Sequence, residues 1–333
     1  MQTILKLAAT LWLACGATLA GAQDTLRIAH STESFAFIPL FTAIQAGAFA
    51  EEGLETEIIR TGSGSKTVAA LVGRSADVAI GSTPGILYAR KEGLDLQMVA
   101  GLVTQYSSSI AYSKAWAESR RVTARSSHEE MLAALKGARI ATSGPGGGES
   151  IIRYFAQEAG IDPDRDMTIV YLGRDIGVYQ AALEEGRIDG LSLSAPAPHI
   201  AVRERGAVFA FNTGAGEVES LDGFLYIVAT ARAGWIRENP EKTAGLVSAL
   251  QRATDIIRDP ETTSEARDAV HAAYYADVDK GLFDGIWAEF ASGAPESVQI
   301  TRAEVERVVA FTNEFEKDNK IDPSVVEGSY LEQ

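Results

Sequence analysis

The sequence predicts an α/β protein built from wound βαβ units. Three observations carry that expectation. Short apolar strands alternate with helical stretches from Leu26 to Phe211. The alternation stops at a polar, charged stretch, residues 114–127, and then starts again. A short signature also recurs at a constant offset. Ala70-Leu71, Asp77, Ser82 and Pro84 return as Ala182-Leu183, Asp189, Ser194 and Pro196, each 112 positions later (182 minus 70, 196 minus 84). Both copies run helix, turn, Asp, short strand, Ser, then Pro at a helix start.

In the first half, strands are expected at residues 25–29, 54–59, 77–80 and 96–102. Pro39 opens a helix whose Leu40, Phe41, Ile44 and Ala48 share one face, and further helices follow at 66–72 and 85–91. In the second half the strands fall at 138–142, 168–172, 190–193 and 208–211, with helices at 149–159, 178–185 and 195–204. The last third departs from this rhythm. Residues 223–230 form one apolar strand, and helices follow at 241–257, 263–275, 281–290 and 302–315. Thr301 and Glu304 match a capping box at the last of them. With no new βαβ unit to cover, these helices are expected to pack on an existing sheet.

The chain has 333 residues, of which 46% are hydrophobic and 23% charged. That suits about two compact units and argues against general disorder. A formal net charge of -15 argues against nucleic-acid binding, which needs basic surface. It leaves room for an anionic ligand, because a pocket can be locally positive on an acidic protein. The single cysteine, Cys15, excludes a disulfide framework and a cysteine-rich metal site.

Residues 1–22 read as a secretory signal. Lys6 precedes an apolar run from Leu7 to Leu19, and Ala20-Gly21-Ala22 supplies a small-residue cleavage site. The alternatives are a short membrane anchor or a buried first helix, but the run is short for a bilayer span and rich in small residues. A lipoprotein site at Cys15 is a lesser alternative, with Trp12 where such a motif usually has Leu. Cleavage at Ala22 removes Lys6 and the only cysteine, leaving a mature chain of charge -16. The expectation is a soluble periplasmic protein.

The strongest site signal is Ser143-Gly144-Pro145-Gly146-Gly147-Gly148, at a strand end before a helix. Glycines let backbone amides approach a ligand, and the helix start adds partial positive charge. The loop reads either as a cradle for an acid group or as a flexible turn. It is neither a P-loop nor a dinucleotide fingerprint, since no Gly-Lys-Ser/Thr follows and the spacing differs. Gly62 with Ser63, and Ser82 with Thr83, are the matching small polar loops of the first half, with plain helix capping as the alternative. Phe35 and Phe37, after Ser31, and Tyr106 are candidate pocket walls or ordinary core aromatics. Arg174 lies past a strand end, where it either meets a ligand acid group or pairs with Asp175. Catalysis is disfavoured. His30, His128, His199 and His271 are scattered without metal-ligand spacing, and there is no G-x-S-x-G elbow or surviving cysteine nucleophile. No catalytic residue, metal or cofactor is expected.

One run now becomes recognisable. After the first strand come a Phe/Pro segment and Gly47-Ala48-Phe49-Ala50-Glu51-Glu52-Gly53-Leu54. Later come Ala70-Leu71 to Asp77, Leu135-Lys136-Gly137-Ala138-Arg139-Ile140-Ala141, Ala182-Leu183 with Gly186 and Asp189, Asn239-Pro240-Glu241, and Asp322-Pro323. In this order they resemble the nitrate/sulfonate/taurine-type substrate-binding proteins of ABC importers, over nearly all of the mature chain. The motifs are individually degenerate; their order is specific.

The resemblance implies a two-lobed type II periplasmic binding protein fold, each lobe a mostly parallel sheet flanked by helices, with the ligand cleft between lobes. It implies lobe 1 from residues 23–104 plus 224–333, lobe 2 from 105–223, and trapping of the ligand by hinge closure. The implied pocket draws on Ser31 to Phe37, Gly62 and Ser63, Ser82 and Thr83, Ser143 to Gly148, and Ser194 to Pro196. The implied partners are a small molecule and an inner-membrane permease, with the binding protein a monomer. Two departures stand out: Arg74 occupies a position where the family motif has Gly, with Gly73 beside it so that the turn is expected to shift, and the glycine run at 143–148 is unusually long. A related thiamine-pyrimidine synthase carries a cysteine-rich motif that the mature chain lacks. A small organic anion, with an apolar or aromatic body, is the expected ligand. A sensory component presenting ligand to a membrane signalling partner and an exported enzyme on the same fold are the alternatives.

Overall fold

In the computed structural model, residues 25–144, 146–173, 175–315 and 320–332 are described. Ten strands follow in chain order: β1 (Leu26–His30), β2 (Thr56–Arg60), β3 (Val78–Ser82), β4 (Leu96–Val103), β5 (Ser108–Tyr112), β6 (Arg139–Thr142), β7 (Thr168–Tyr171), β8 (Gly190–Ser194), β9 (Val208–Phe211) and β10 (Ile227–Arg232). They form two five-stranded sheets, ordered β2-β1-β3-β10-β4 and β7-β6-β8-β5-β9. Within each sheet one strand runs against its neighbours. β10 pairs antiparallel with β3 and β4, and β5 pairs antiparallel with β8 and β9.

This arrangement places the loops. Parallel strands leave their helical connections at one sheet edge, so β1, β2 and β3 all end on the same side. The antiparallel strand begins where they end: Ile227 lies opposite Ser82, and Ser108 lies opposite Ser194. Residues just before each antiparallel strand therefore join the strand-end loops.

The internal repeat is structural, and it extends one residue pair beyond the sequence signature. Asp77 accepts bonds from the Arg27 backbone N, Nε and Nη2 at 3.1, 3.0 and 2.7 Å. Asp189 accepts from the same three atoms of Arg139 at 2.8, 2.8 and 2.7 Å. Arg27 and Arg139 are themselves 112 positions apart (139 minus 27). Each carboxylate closes the turn before a strand and grips the start of the neighbouring one.

Several expectations are refined. Ala48 does not continue the first helix. That helix ends as Ile38–Gln45, and Gly47, at φ 69°, turns the chain into a separate short helix, Ala48–Glu51. Residues 114–127 are not plain connection, because Lys114–Arg120 is helical. The shift expected at Gly73 does not occur. Gly73 stays at φ -73° and Arg74 itself takes φ 61°, the conformation of its counterpart Gly186 at φ 64°. The strand expected at 223–230 begins later, at Ile227. The C-terminal helices pack on the first sheet's side. Pro240–Arg258 buries Leu246, Ala249, Leu250, Ala253 and Ile257, and Lys280–Ser292 buries Phe283, Ile286 and Trp287. The capping box at Thr301 forms, with Glu304 accepting from the Thr301 backbone at 2.7 Å. Among the described residues no helix is long and apolar enough to cross a membrane. Residues 1–22, with Cys15 and the cleavage site at Ala22, lie outside them.

Candidate ligand-binding cleft

The strand-end loops of the two sheets meet. The Phe35 backbone N donates to Ala195 O at 3.2 Å, joining the loop after β1 to the loop after β8. Tyr106, between the sheets, donates its hydroxyl to Gly147 O at 2.7 Å. The Thr83 backbone N donates to Tyr226 O at 3.0 Å. The Tyr226 hydroxyl lies 3.2 Å from Ser108 Oγ and bonds to Ser194. Burial raises both phenols above their ordinary range, Tyr106 helped by Tyr226, while Ser108 and Ser194 oppose the rise at Tyr226. Both rings thus stay protonated and able to donate.

Tyr226 is the residue the sequence reading missed. It lies in what read as a uniform apolar strand, yet it immediately precedes β10. The available signal was a lone tyrosine at the start of a strand following a crossing between halves.

The glycine loop divides into two functions. The helix Gly147–Glu158 starts at Gly146, which has φ 137° and offers no capping side chain. Its first amides have no acceptor within the helix and are disposed to meet an anion. Gly148, however, is a glycine for packing. A Cβ there would lie 2.2 Å from Thr142 Oγ1 and 2.8 Å from Ser192 O, because the helix is pressed against β6 and β8. A Cβ on Gly147 would lie 2.3 Å from the Tyr226 hydroxyl. Ser143 and Gly146 are exposed at the mouth of this loop.

The other predicted residues are distributed as follows. Ser31 and the Gly62–Ser63 turn are joined, with Gly62 N donating to Ser31 O at 3.0 Å. Ser63 caps the next helix, accepting from Lys66 N at 3.2 Å. Ser82 also sits at a helix start, but its hydroxyl makes no cap bond. Thr83 is fully buried behind it. The bond between Ala195 and Pro196 is cis, and Ser194 and Pro196 lie at the end of β8. Phe35 and Phe37 are buried at 2% and 5% exposure. Their rings pack on core neighbours, Phe35 on Tyr275 and Phe283, and Phe37 on His30. Tyr106 packs on Phe224, Tyr226 and Phe311 at the back of the junction. Arg174 lies outside the described residues. His30 closes β1, with its Nδ1 3.1 Å from Thr32 O, and burial lowers its pKa and favours the neutral ring. No group of His, Cys, Asp or Glu among the described residues has metal-binding geometry. A cavity of about 550 Å³ beside Ile236, Val247, Val298 and Leu331 shares no residue with these loops. The convergence of strand ends, not cavity size, marks the site.

Two mixed sheets flanked by helices, with loops converging at their junction, have the architecture of the two-lobed periplasmic-binding-protein fold. The chain belongs to the NMT1-like family, which it matches over residues 28–271. Among solved structures it is similar to a protein of Bordetella bronchiseptica RB50, with a TM-score of 0.72 and 21% identity, covering 92% of this chain and 94% of that one. It is similar also to the periplasmic aliphatic sulphonate binding protein SsuA of Escherichia coli, with a TM-score of 0.71 and 14% identity, covering 93% and 92%. At such identities the likeness establishes the fold. Over 181 residues the chain is 26% identical to the nitrate import ATP-binding protein NrtC of Synechococcus elongatus, 54% of this chain and 25% of that one. It spans about a quarter of the lengths of the curated relatives it matches. The periplasmic nitrate-binding protein NrtA of Synechocystis PCC 6803 is similar as well, with a TM-score of 0.69 and 16% identity, covering 92% and 86%.

Proposed function

We propose that the mature protein is the periplasmic substrate-binding component of an ABC importer, capturing a small organic anion between two lobes. The carrying observation is the meeting of four strand-end loops, two from each sheet. They present the amide-rich helix start at Gly146–Gly147 together with the hydroxyls of Tyr226, Ser82 and Ser194. These groups supply donors for an anion without a fixed countercharge. The family and the sulphonate- and nitrate-binding neighbours support the same reading. In it, lobe 1 comprises residues 23–104 and 224–333, lobe 2 comprises 105–223, and residues 1–22 are removed on export. Ser31, Gly62, Ser63, Ser143, Gly146, Gly147 and Pro196 complete the proposed site. Phe35, Phe37, Thr83, Tyr106 and Gly148 form its supporting layer.

The test is a thermal-shift screen of residues 23–333 against alkanesulfonates, nitrate, aliphatic and aromatic carboxylates, and a neutral pyrimidine. A ligand at about 100 times its Kd stabilises by about 2.7 kcal/mol. A shift with an anion that Tyr226→Phe diminishes supports the assignment. A response to the pyrimidine alone, or to nothing, removes it.

A further inference from the structure

A second contact between the two sheets' layers adjoins the strand-end loops, sharing a small cavity with Phe35 and Ala195. Glu289 sits on the helix Lys280–Ser292, which Phe283 and Trp287 anchor to the first sheet's side. Phe283 packs on Phe35 at 5.1 Å between ring centroids, and Trp287 Nε1 donates to Thr263 Oγ1 at 2.7 Å. Two groups from the second sheet's side grip the same carboxylate oxygen. His199 Nε2 lies 3.1 Å from Glu289 Oε2, and Asn212 Nδ2 donates to it at 3.3 Å. His199 and Asn212 are 7% and 5% exposed. One turn on, Arg203 meets Asp279 at 2.8 Å, so a histidine and an arginine on one helix face two acids at the ends of another. The Arg203–Asp279 pair is about half exposed and contributes little. The Glu289 side chain is 37% exposed and sits between two buried partners, so this cluster is the better shielded part of the contact.

The chemistry of this contact is informative. An apolar contact of equal area would hold two permanently docked layers better than a partly exposed polar cluster. An apolar pair would also expose greasy surface each time the layers separate. Polar groups are solvated when apart and bonded when together, which suits a contact that is made and broken. The cluster also has unsatisfied atoms. His199 Nδ1 and Ser107 Oγ have no partner, and both residues line a cavity of about 30 Å³ that also touches Gln105 in the crossing segment.

We infer that His199, Asn212 and Glu289 form a latch that sets the balance between open and closed lobes from beside the strand-end loops, without supplying the amides and hydroxyls proposed to meet the ligand. The inference rests on the two-lobed reading above, but its test needs no ligand. It therefore stands or falls separately from the thermal-shift screen. These are positioning residues. Their removal shifts the closed population, and the apparent affinity for any ligand falls in proportion.

The mature chain has no cysteine, so two can be introduced for nitroxide labels, at exposed Ser65 and Val178, one on each side of the cleft. Pulsed dipolar spectroscopy then reads the distance distribution of Ser65→Cys/Val178→Cys. The parent is expected to populate the distance of the present structure. Glu289→Gln keeps the shape and the Asn212 bond but loses the charge. It is expected to raise the open-to-closed ratio about tenfold, about 1.4 kcal/mol. His199→Gln is expected to do the same, and the double variant no more than either alone, because the two act as one unit. Acidification supplies a readout that a structural role would not move. Burial pushes the Glu289 carboxyl up, but its bonds to His199 and Asn212 outweigh that and hold it below its ordinary range. The open form therefore binds the proton first, and the latch present above the ordinary carboxylate range is lost as pH falls through the lowered value. Glu217 faces Glu289, and burial and that charge raise its pKa, so it neutralises earlier and relieves repulsion before the latch releases. Opening on acidification in the parent, absent in Glu289→Gln, supports the latch. An unchanged distance distribution in Glu289→Gln, whatever its melting temperature, overturns it. Additive effects in the double variant, or a parent with no population at the closed distance, also overturn it.

Discussion

The paired clamps offer an internal control that most proteins lack. Asp77→Asn and Asp189→Asn make the same chemical change at equivalent positions of the two sheets. Each removes a carboxylate that takes three bonds from one arginine, Arg27 or Arg139. A fully buried pair broken on one side costs about 3–5 kcal/mol. The acids here are 11% and 12% exposed at the side chain, but Arg27 and Arg139 are 36% and 42% exposed, so water recovers part of that cost. About 2 kcal/mol remains for Asp189→Asn. Asp77 serves a second cation. Arg232 Nη2 lies 3.7 Å away, and its side chain is only 18% exposed. Burial already lowers the Arg232 pKa, against the stabilising charge of Asp77, so losing that charge leaves Arg232 poorly compensated. Asp77→Asn should therefore cost about 3 kcal/mol, about 1 kcal/mol more than its twin. Urea denaturation of residues 23–333, followed by circular dichroism, measures both. Equal costs, or a larger cost at Asp189, would refute the argument that the second arginine decides the difference.

Other outcomes follow from local geometry. Arg74→Gly should stabilise the protein by about 0.5–1 kcal/mol, since Arg74 holds φ 61° where its counterpart is glycine; the melting temperature checks it. Gly148→Ala should destabilise by at least about 2 kcal/mol, because one of the two groups its Cβ meets is the Ser192 backbone carbonyl, and Thr142→Ala should recover only part of the loss. Burial lowers the His30 pKa, so the unfolded chain takes up its proton first. Stability should fall as pH drops below about 6.5, and His30→Gln should flatten that dependence in denaturation midpoints.

Alternation of apolar runs with helical stretches exposed the wound architecture, because parallel strands buried on both faces leave a plain apolar signal. The offset of 112 was visible in five residues, yet its physical content, the Arg27–Asp77 and Arg139–Asp189 clamps, was not. Those pairs span 50 residues and depend on which strands lie adjacent. Strand β5 escaped notice because Ser108-Ser109 is polar while both are buried in the sheet. The loops of the cleft were legible because small polar residues at strand ends follow from local rules. Tyr226 was not, since only the antiparallel return of β10 brings it beside Gly147. Phe35 and Phe37 show the opposite limit: an aromatic near a loop is equally suited to a pocket and to the core, and only the packing decides. The His199–Glu289 contact joins residues 90 positions apart, beyond the reach of any motif.

The two sheets also differ in when they can be completed. All five strands of the second come from one continuous stretch, residues 108–211. In the first, β10 separates β3 from β4, and it arrives only at residue 227. Until then β1–β3 and β4 have no strand to join them, and the longest-range pairings wait for the chain's last third. Loop closure over such separations is slow. If the chain is exported unfolded, as proposed, that delay favours it, and the late arrival of β10 builds the delay into the order of the chain.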